Sequence, residues 1–444
     1  MKTERITLDQ MLEARERRAE IQKTMLGRED GTCLVCLTLN IAGDIKRTPK
    51  TEMLFRRGLE ELDALGLDTA DSLIIDEPTG SEAFRLVRDD ALRVKEMLEA
   101  VEDSFPAARL FDFDVLVRDG DGIRKLSREV ARRCLVCGGP AAECARSRRH
   151  GIDAVRLATD DLLKGFCADT LADAAYSALL DELYTTPKPG LVDLASCGSH
   201  SDMDIRLLEK SADSLRTYFR DAAMMGMEGC SMDDLRQRGL RAEEDMFSAT
   251  GGVNTHKGLI YSMGLLLAGA GMALEDEGIS SEAAARCAAE LARQDAGRLL
   301  EKAMAKPETN GAKAYRSYGA KGALGEAASG FPDALRCASA LRSYKDAVTA
   351  IEPDGDITVR NPAGALAFCD TMARLEDTNL LHRGGKAGLE FARNEASRIA
   401  SLPDLRLRIR ELHMLDSEMQ KRSLSPGGCA DMLALAYYLE YLDR

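Results

Sequence analysis

The chain contains no Trp, and aromatic residues make up only 5% of its 444 positions. With 45% hydrophobic and 30% charged residues, this is a globular composition, which argues against disorder, a collagen-like repeat or a membrane barrel. Positive charge is also short. Sixty Lys and Arg face 74 Asp and Glu, a net charge of −14, so nucleic acid is not an expected partner. The first residues include Lys2, Glu4 and Arg5 and form no apolar h-region, so no signal peptide is expected. The longest apolar run, 258–274, is broken by glycines and falls short of the ~20 residues a membrane span needs. It reads as a buried helix, and no membrane partner is expected. A cytoplasmic location follows, in which the 12 Cys are mostly reduced thiols. Neither a fixed-period repeat nor a low-complexity linker interrupts the sequence.

A length of 444 residues implies at least two domains, because single cores rarely exceed roughly 250–300 residues. Residues 1–150 carry 26 basic and 29 acidic groups, which leaves a net −11 for the remainder. Strand-like runs at 33–39, 72–75 and 109–117 lie among helical stretches at 8–25 and 89–102, so the first part reads α+β. After residue 160 the pattern is helical, with Asp169 or Thr170 as the expected cap of a helix whose apolar face includes Leu171, Ala175, Ala178 and Leu179. Further helices are expected over 205–219, 259–274, 281–304, 333–350, 363–381, 386–400 and 429–442. The expected architecture is an α+β domain over 1–160 followed by an all-α domain over 161–444, joined by a short connection near 151–168.

The sharpest feature of the first domain is Arg109-Leu-Phe-Asp112-Phe-Asp114-Val. Alternation along a strand turns Asp112 and Asp114 to one side and Phe111, Phe113 and Val115 to the core. Two carboxylates one strand repeat apart can share Mg²⁺ with substrate phosphates; the plainer alternative is a solvated strand face. Next, Cys134-x2-Cys137-x6-Cys144-x5-His150 has the spacing of a Cys₃His zinc site, against the alternative of packed, reduced thiols. The surrounding segment 124–149 holds eight Arg or Lys against two Glu, suiting either a polyphosphate or an acidic protein.

The second domain places Gly-rich, charge-rich patches between its helices, at 187–193, 198–204, 250–258, 322–332, 376–385 and 425–431. Gly251-Gly252 and Gly427-Gly428 open helices and can present amides to phosphate. One such patch is more often a turn with an N-cap than a site, but several in one helical domain favour a site built from loops.

These patches resemble a known family, the triphosphoribosyl-dephospho-CoA synthases. The matching stretches are Pro187-Lys-Pro-Gly-Leu-Val-Asp193, His200-x-Asp-Met-Asp204, Ala249-Thr-Gly-Gly-Val-Asn-Thr-His-Lys-Gly258, Gly325-Glu326…Ser329-Gly-Phe-Pro332, Asp377-Thr-Asn…His382-Arg-Gly-Gly385 and Ser425-Pro-Gly-Gly…Ala-Asp431. The first domain resembles the apo-citrate lyase phosphoribosyl-dephospho-CoA transferases. It does so through Ala14-Arg-Glu-Arg-Arg18, Leu39-Asn-Ile-Ala-Gly43-Asp-Ile-Lys46, the Asp112/Asp114 strand and the cysteine segment ending at His150. Asp44 departs from that family's pattern, which commonly has Pro there.

The resemblance implies a fused enzyme with ATP, 3′-dephospho-CoA and the citrate lyase acyl-carrier subunit as partners. It implies Asp112, Asp114, His256, Glu326 and Asp431 as catalytic residues. Glu326 would take the proton of the attacking 2′-hydroxyl, with Asp431 as alternate. Mg²⁺ would be held by Asp112 and Asp114 in one domain and by Asp202, Asp204 and Asp377 in the other. Substrate contacts would come from Lys46, Arg109, Arg133 and His150, and from Lys188, His200, Gly251, Gly252, Asn254, Lys257, Asn379, His382 and Arg383. Two other readings are synthesis of the equivalent malonate decarboxylase cofactor and an inactive maturation scaffold. Clustered carboxylates are costly without a task, which argues against the scaffold.

Overall fold

The computed structural model describes residues 4–29, 31–120, 122–305, 310–348 and 358–444. Two compact units emerge, Met1–Cys167 with Glu275–Gly278, and Ala168–Leu274 with Ile279–Arg444.

The first unit is built on an antiparallel sheet in the order β2-β3-β1-β4-β5. Its strands are β1 (Cys33–Leu39), β2 (Thr69–Glu77), β3 (Gly80–Val87), β4 (Phe111–Asp119) and β5 (Gly122–Lys125). β1 is apolar on both sides because both sides are covered. Cys33, Val35 and Leu37 join Phe111, Phe113 and Val115 in a core with Leu54 and Phe55 of α2 (Pro49–Ala64) and Val94 and Leu98 of α3 (Ala91–Glu102). Leu34, Cys36, Phe84 and Leu116 face Met25 and Leu26 of α1 (Leu8–Leu26). A Thr7/Gln10 capping box starts α1 by satisfying exposed amides reciprocally.

The second unit is helical, as its sequence pattern implies. α5 (Ile152–Tyr184) is one continuous helix through the division at Cys167/Ala168, so no connecting loop lies near 151–168. Asp169 therefore caps nothing. It lies inside α5 and pairs with Arg220 of α6 (Ile205–Glu228) at 2.6 Å. The expected 363–381 helix is two, α13 (Pro362–Met372) and the start of α14 (Thr378–Ala400), and Gly385 breaks the helical path of α14 at φ 60°. The expected 333–350 helix is Pro332–Val348, with its last two positions outside the described residues.

The apolar run 258–274 forms α8 (Lys257–Asp276), a helix long and apolar enough to cross a membrane but mostly buried in this unit. Its glycines let backbones touch. A Cβ added at Gly226 of α6 would lie 2.0 Å from the Ala268 carbonyl oxygen, and one at Gly269 would lie 2.3 Å from the Ala284 oxygen of α9 (Ser281–Ala305). Backbone cannot yield as a flexible side chain does. Gly226→Ala should therefore force α6 and α8 apart and cost about 1–3 kcal/mol. Thermal unfolding checks this, and an unchanged midpoint would contradict the close approach.

Candidate active sites in the two units

In the first unit, Asp112 and Asp114 share one face of β4, opposite Thr38 and Cys36 of β1. Arg132 reaches Asp112 at 3.2 Å, and Asp114 pairs with Lys125. Arg132 also donates to Glu102 at 2.5 Å, while Arg128 reaches the other Glu102 oxygen at 2.8 Å. Glu102 is fully buried, and burial raises its carboxyl above the usual range even with both guanidiniums beside it. This Arg-Glu scaffold forms part of a cavity of about 1000 Å³ that Arg109, Arg133, Arg148 and His150 also line. The cavity is thus cationic, with Asp112 tied to its wall through Arg132.

Lys46 sits in the same unit on the loop after β1, its ammonium donating to the Ile41 carbonyl. Burial, with Arg15 and Arg156 nearby, lowers its pKa. Asp44 binds Arg5 at 3.1 Å and Arg156 at 2.7 Å, which gives this departure from the family pattern a structural role. Besides the Glu102, Arg128 and Arg132 scaffold, two further residues of this unit are not marked by the sequence reading. Glu82 on β3 is buried and bound by Arg18 at 3.0 Å, and Arg17 has Nε and Nη2 shielded without a hydrogen-bond partner. The Ala14–Arg18 motif was the available signal for Arg17. Cys134, Cys137, Cys144 and His150 converge, with ligand atoms within 4.8 Å of one another.

In the second unit, the residues that gather are Lys188, His256, Asp377 and Asp431, together with Glu182, which no motif marked. Lys188 is fully buried after α5, its Nζ 2.6 Å from Glu182, and its amide donates to Asp193 at 2.9 Å. Asp431 lies on α16 (Gly427–Leu442), and a Cβ on Gly258 would come within 2.9 Å of its Oδ2. Burial, then the neighbouring Asp377 and Glu182 carboxylates, push Asp431 well above the usual carboxylate range, which favours its protonated form. His256 precedes α8, with Nδ1 2.7 Å from the Ser211 hydroxyl, which in turn is 2.6 Å from Thr255. Burial and Lys188 lower His256 to about 4, which leaves the imidazole neutral.

Several expected ligands prove to be helix caps. Asp377 is the N-cap of α14: Oδ1 accepts the Asn379 and Leu380 amides at 2.8 and 3.0 Å, and Oδ2 accepts Cys429 N at 2.9 Å. Through these contacts both of its oxygens pin α14 to α16. Asp204 caps α6 through the Leu207 amide at 2.8 Å. Asp202 is exposed, 3.7 Å from His200 Nδ1. Among the described residues the only converging group of three or more candidate ligands is the cysteine cluster, so Asp202, Asp204 and Asp377 do not form one metal site. Glu326 Oε1 accepts the Asp333 and Ala334 amides at 2.7 and 3.0 Å, capping α12 (Pro332–Val348), and burial pushes its carboxyl up to about 7.

A second group lies around the turn before α16. His200 Nε2 is 2.9 Å from Ser425 Oγ, and Arg383 reaches His200 Nδ1 at 3.3 Å and Ser199 O at 3.2 Å. Asn379 lies against Gly427, where a Cβ would meet its amide nitrogen at 2.3 Å. His382 is exposed on α14. Gly251 and Gly252 hold positive φ with open space beside them, Asn254 is exposed, and Lys257 pairs with Glu243 at 2.6 Å. Asp416, also unmarked in the sequence, accepts Gly190 N at 2.8 Å and Ser196 Oγ at 3.1 Å, fixing the 187–193 loop.

A cationic cavity beside paired carboxylates in one unit, and a Lys-His-carboxylate cluster around the buried Lys188 and Asp377 in the other, define two polar sites suited to group transfer from anionic substrates. Residues 6–166 match the family of apo-citrate lyase phosphoribosyl-dephospho-CoA transferases, and residues 168–444 match the family of ATP:dephospho-CoA triphosphoribosyl transferases. The chain is thus an enzyme of two transferase domains. It belongs to the CitXG family, in which the two are fused. It is 32% identical to Protein CitXG of Haemophilus influenzae, over 98% of this chain and 96% of that one. Identity to Protein CitXG of Leuconostoc mesenteroides subsp. cremoris is 29%, over 99% and 98%. The 2-(5''-triphosphoribosyl)-3'-dephosphocoenzyme-A synthase of Haemophilus ducreyi is 34% identical, over 68% of this chain and 98% of the relative.

The Glu326 carboxyl yields a pH prediction. Its folded pKa of about 7 lies above the ordinary ~4.3 of an unfolded Glu, so the unfolded chain loses this proton first. The stability it contributes is full below pH ~4.3 and is lost as pH rises towards about 7. Glu326→Gln keeps an oxygen for the two amides and cannot ionise. Its thermal midpoint should fall less than that of the wild type between about pH 5 and pH 7.5. Equal slopes would contradict the assignment.

Proposed function

We propose that the second unit joins the 2′-hydroxyl of 3′-dephospho-CoA to C1′ of the ATP ribose with release of adenine. The first unit then transfers the resulting phosphoribosyl-dephospho-CoA to a Ser of the citrate lyase acyl-carrier subunit, releasing pyrophosphate. The observation that carries this reading is the gathering of Lys188, Glu182, His256, Asp377 and Asp431, each from a different motif or element, at one place in the synthase-like unit.

Cleavage of an N-glycosidic bond passes through an oxocarbenium-like state, so the departing base needs a proton and the incoming hydroxyl must lose one. Asp431, whose protonated form is favoured by burial and then by its carboxylate neighbours, is suited to donate to adenine as the C1′–N bond breaks. Glu326, with a pKa of about 7, is the candidate to take the 2′-hydroxyl proton, although its cap contacts bind one of its two oxygens. Neutral His256 and the cations Lys188 and Arg383 are suited to hold the triphosphate. In the first unit the Ser oxygen attacks the α-phosphorus and the bond to the β-phosphate breaks. Arg109 and Arg133, which line the cavity, and Lys46 are the candidates to hold the charge of the leaving pyrophosphate.

Mg²⁺ fits Asp112 and Asp114, which are one strand repeat apart with a single cation each and so keep oxygens for a hard ion. There it would supply charge neutralisation on the phosphates. The match of the first unit to citrate lyase transferases favours citrate lyase over malonate decarboxylase.

The test is mass spectrometry of the apo carrier after incubation with ATP, 3′-dephospho-CoA, Mg²⁺ and the full chain, with adenine followed in parallel. Carrier should gain the prosthetic group. Asp112→Asn or Asp114→Asn should lower loading by roughly 10²-fold or more while leaving adenine release unchanged. Near-normal loading in both variants would leave these residues as a solvated strand face. Equal loss of both reactions would contradict two separate sites.

A further inference from the structure

We infer that Cys134, Cys137, Cys144 and His150 bind one zinc ion, which pins the segment 132–150 as a wall of the first unit's cavity. The site rests on its own geometry and not on the reaction assigned above.

The local fold is a metal knuckle. Cys134 N donates to Gly139 O at 2.6 Å and Gly138 N to Cys134 O at 3.0 Å, while Arg133 and Pro140 bridge antiparallel on either side. Gly138, at φ 70°, makes the tight return that turns Cys134 and Cys137 to one side. The chain then enters the short helix α4 (Ala141–Ser147), which supplies Cys144. Arg148 adopts the left-handed conformation at φ 48°, and Arg149 N returns to Cys144 O at 3.1 Å, bringing His150 alongside.

Two observations point to an ion rather than to packed thiols. Cys137 and Cys144 Sγ are 3.6 Å apart, far beyond a disulfide bond of about 2.05 Å. That separation is close to the ~3.8 Å edge of a tetrahedron with Zn–S bonds of about 2.3 Å. Independently, His150 Nε2 is shielded from solvent and has no hydrogen-bond partner, although a buried ring nitrogen is costly to leave unpaired. It is the fourth ligand that three thiolates lack. Three thiolates and one imidazole close the coordination sphere, the mark of a structural zinc with no open position for substrate.

The consequence reaches the cavity. Arg109 donates to the carbonyls of Arg133 and Cys134 at 3.0 and 3.4 Å, so the knuckle holds the guanidinium in place. Without the ion, that wall rests on a few turn hydrogen bonds.

The test is elemental analysis of the reduced full chain, which should carry about one zinc per molecule. Cys137→Ser and Cys144→Ser should each retain less than about a tenth of it, whereas Cys197→Ser, an exposed cysteine of the other unit, should retain all. Because the knuckle variants can unfold, the wild type supplies a second readout. Chelation should lower the thermal midpoint, zinc should restore it, and cobalt in its place should give the visible absorption of a tetrahedral thiolate site. The inference is overturned if reduced chain neither carries zinc nor takes it up from added zinc chloride. Zinc retained in both knuckle variants, or a Cys137–Cys144 disulfide as the native state, would overturn it equally.

Discussion

One constraint organises the second unit: three carboxylates, Glu182, Asp377 and Asp431, crowd the start of α16 beside a single fully buried cation, Lys188. Like charges in one neighbourhood disfavour one another's ionised forms, so the fold must offset them. It does so in three ways. Glu182 is paired with Lys188, Asp377 receives three backbone amides, and burial with its carboxylate neighbours shifts Asp431 towards its protonated form. Glycines make the crowding feasible, because a Cβ at Gly258 or Gly428 would lie within about 3 Å of a carboxylate oxygen. Burial and partners thus give three carboxyl groups different states, an ion-pair partner, a structural cap and a group shifted towards its protonated form, the spread that acid and base chemistry at one place would require.

The first unit solves a different problem. Its sheet carries apolar clusters on both sides, and the polar pair Asp112 and Asp114 shares the Leu116 face of β4 near the start of that strand. Glu102 anchors Arg128 and Arg132 at the cavity, and Arg132 spans to Asp112. A guanidinium shared between a buried and a half-exposed carboxylate is held in a narrow range of positions, which prepares it for an incoming phosphate. The knuckle carries Arg133 and supports Arg109 on the same cavity.

Much of this was legible from residue pattern. The apolar run of β1 and the alternation of β4 fixed their inward faces, and the long amphipathic periods located α6, α8, α9 and α16. β3 escaped notice because Ser81, Glu82 and Arg85 dilute its alternation, and α7 (Met232–Ala249) and the helix Leu405–Lys421 because charge surrounds their apolar residues. Asp169 misled for a general reason: aspartate caps helices, but mid-helix it equally serves a surface ion pair. The same ambiguity explains Asp204 and Asp377. Motif membership marks an aspartate as needed without saying whether a helix or a ligand needs it. Glu182, Glu102 and Asp416 carried no local signal, because their partners lie elsewhere in the chain.

The central claim is that Asp431 serves only the adenine-releasing reaction, while transfer to the carrier runs on the other unit's residues. The most direct measurement compares products of the Asp431→Asn full chain under two supplies, with carrier mass and free adenine as readouts. Given ATP and 3′-dephospho-CoA, this variant should release little adenine and load little carrier. Given preformed triphosphoribosyl-dephospho-CoA, it should load carrier at the wild-type rate. Loss of loading under both supplies, or adenine release at the wild-type rate, would contradict the account.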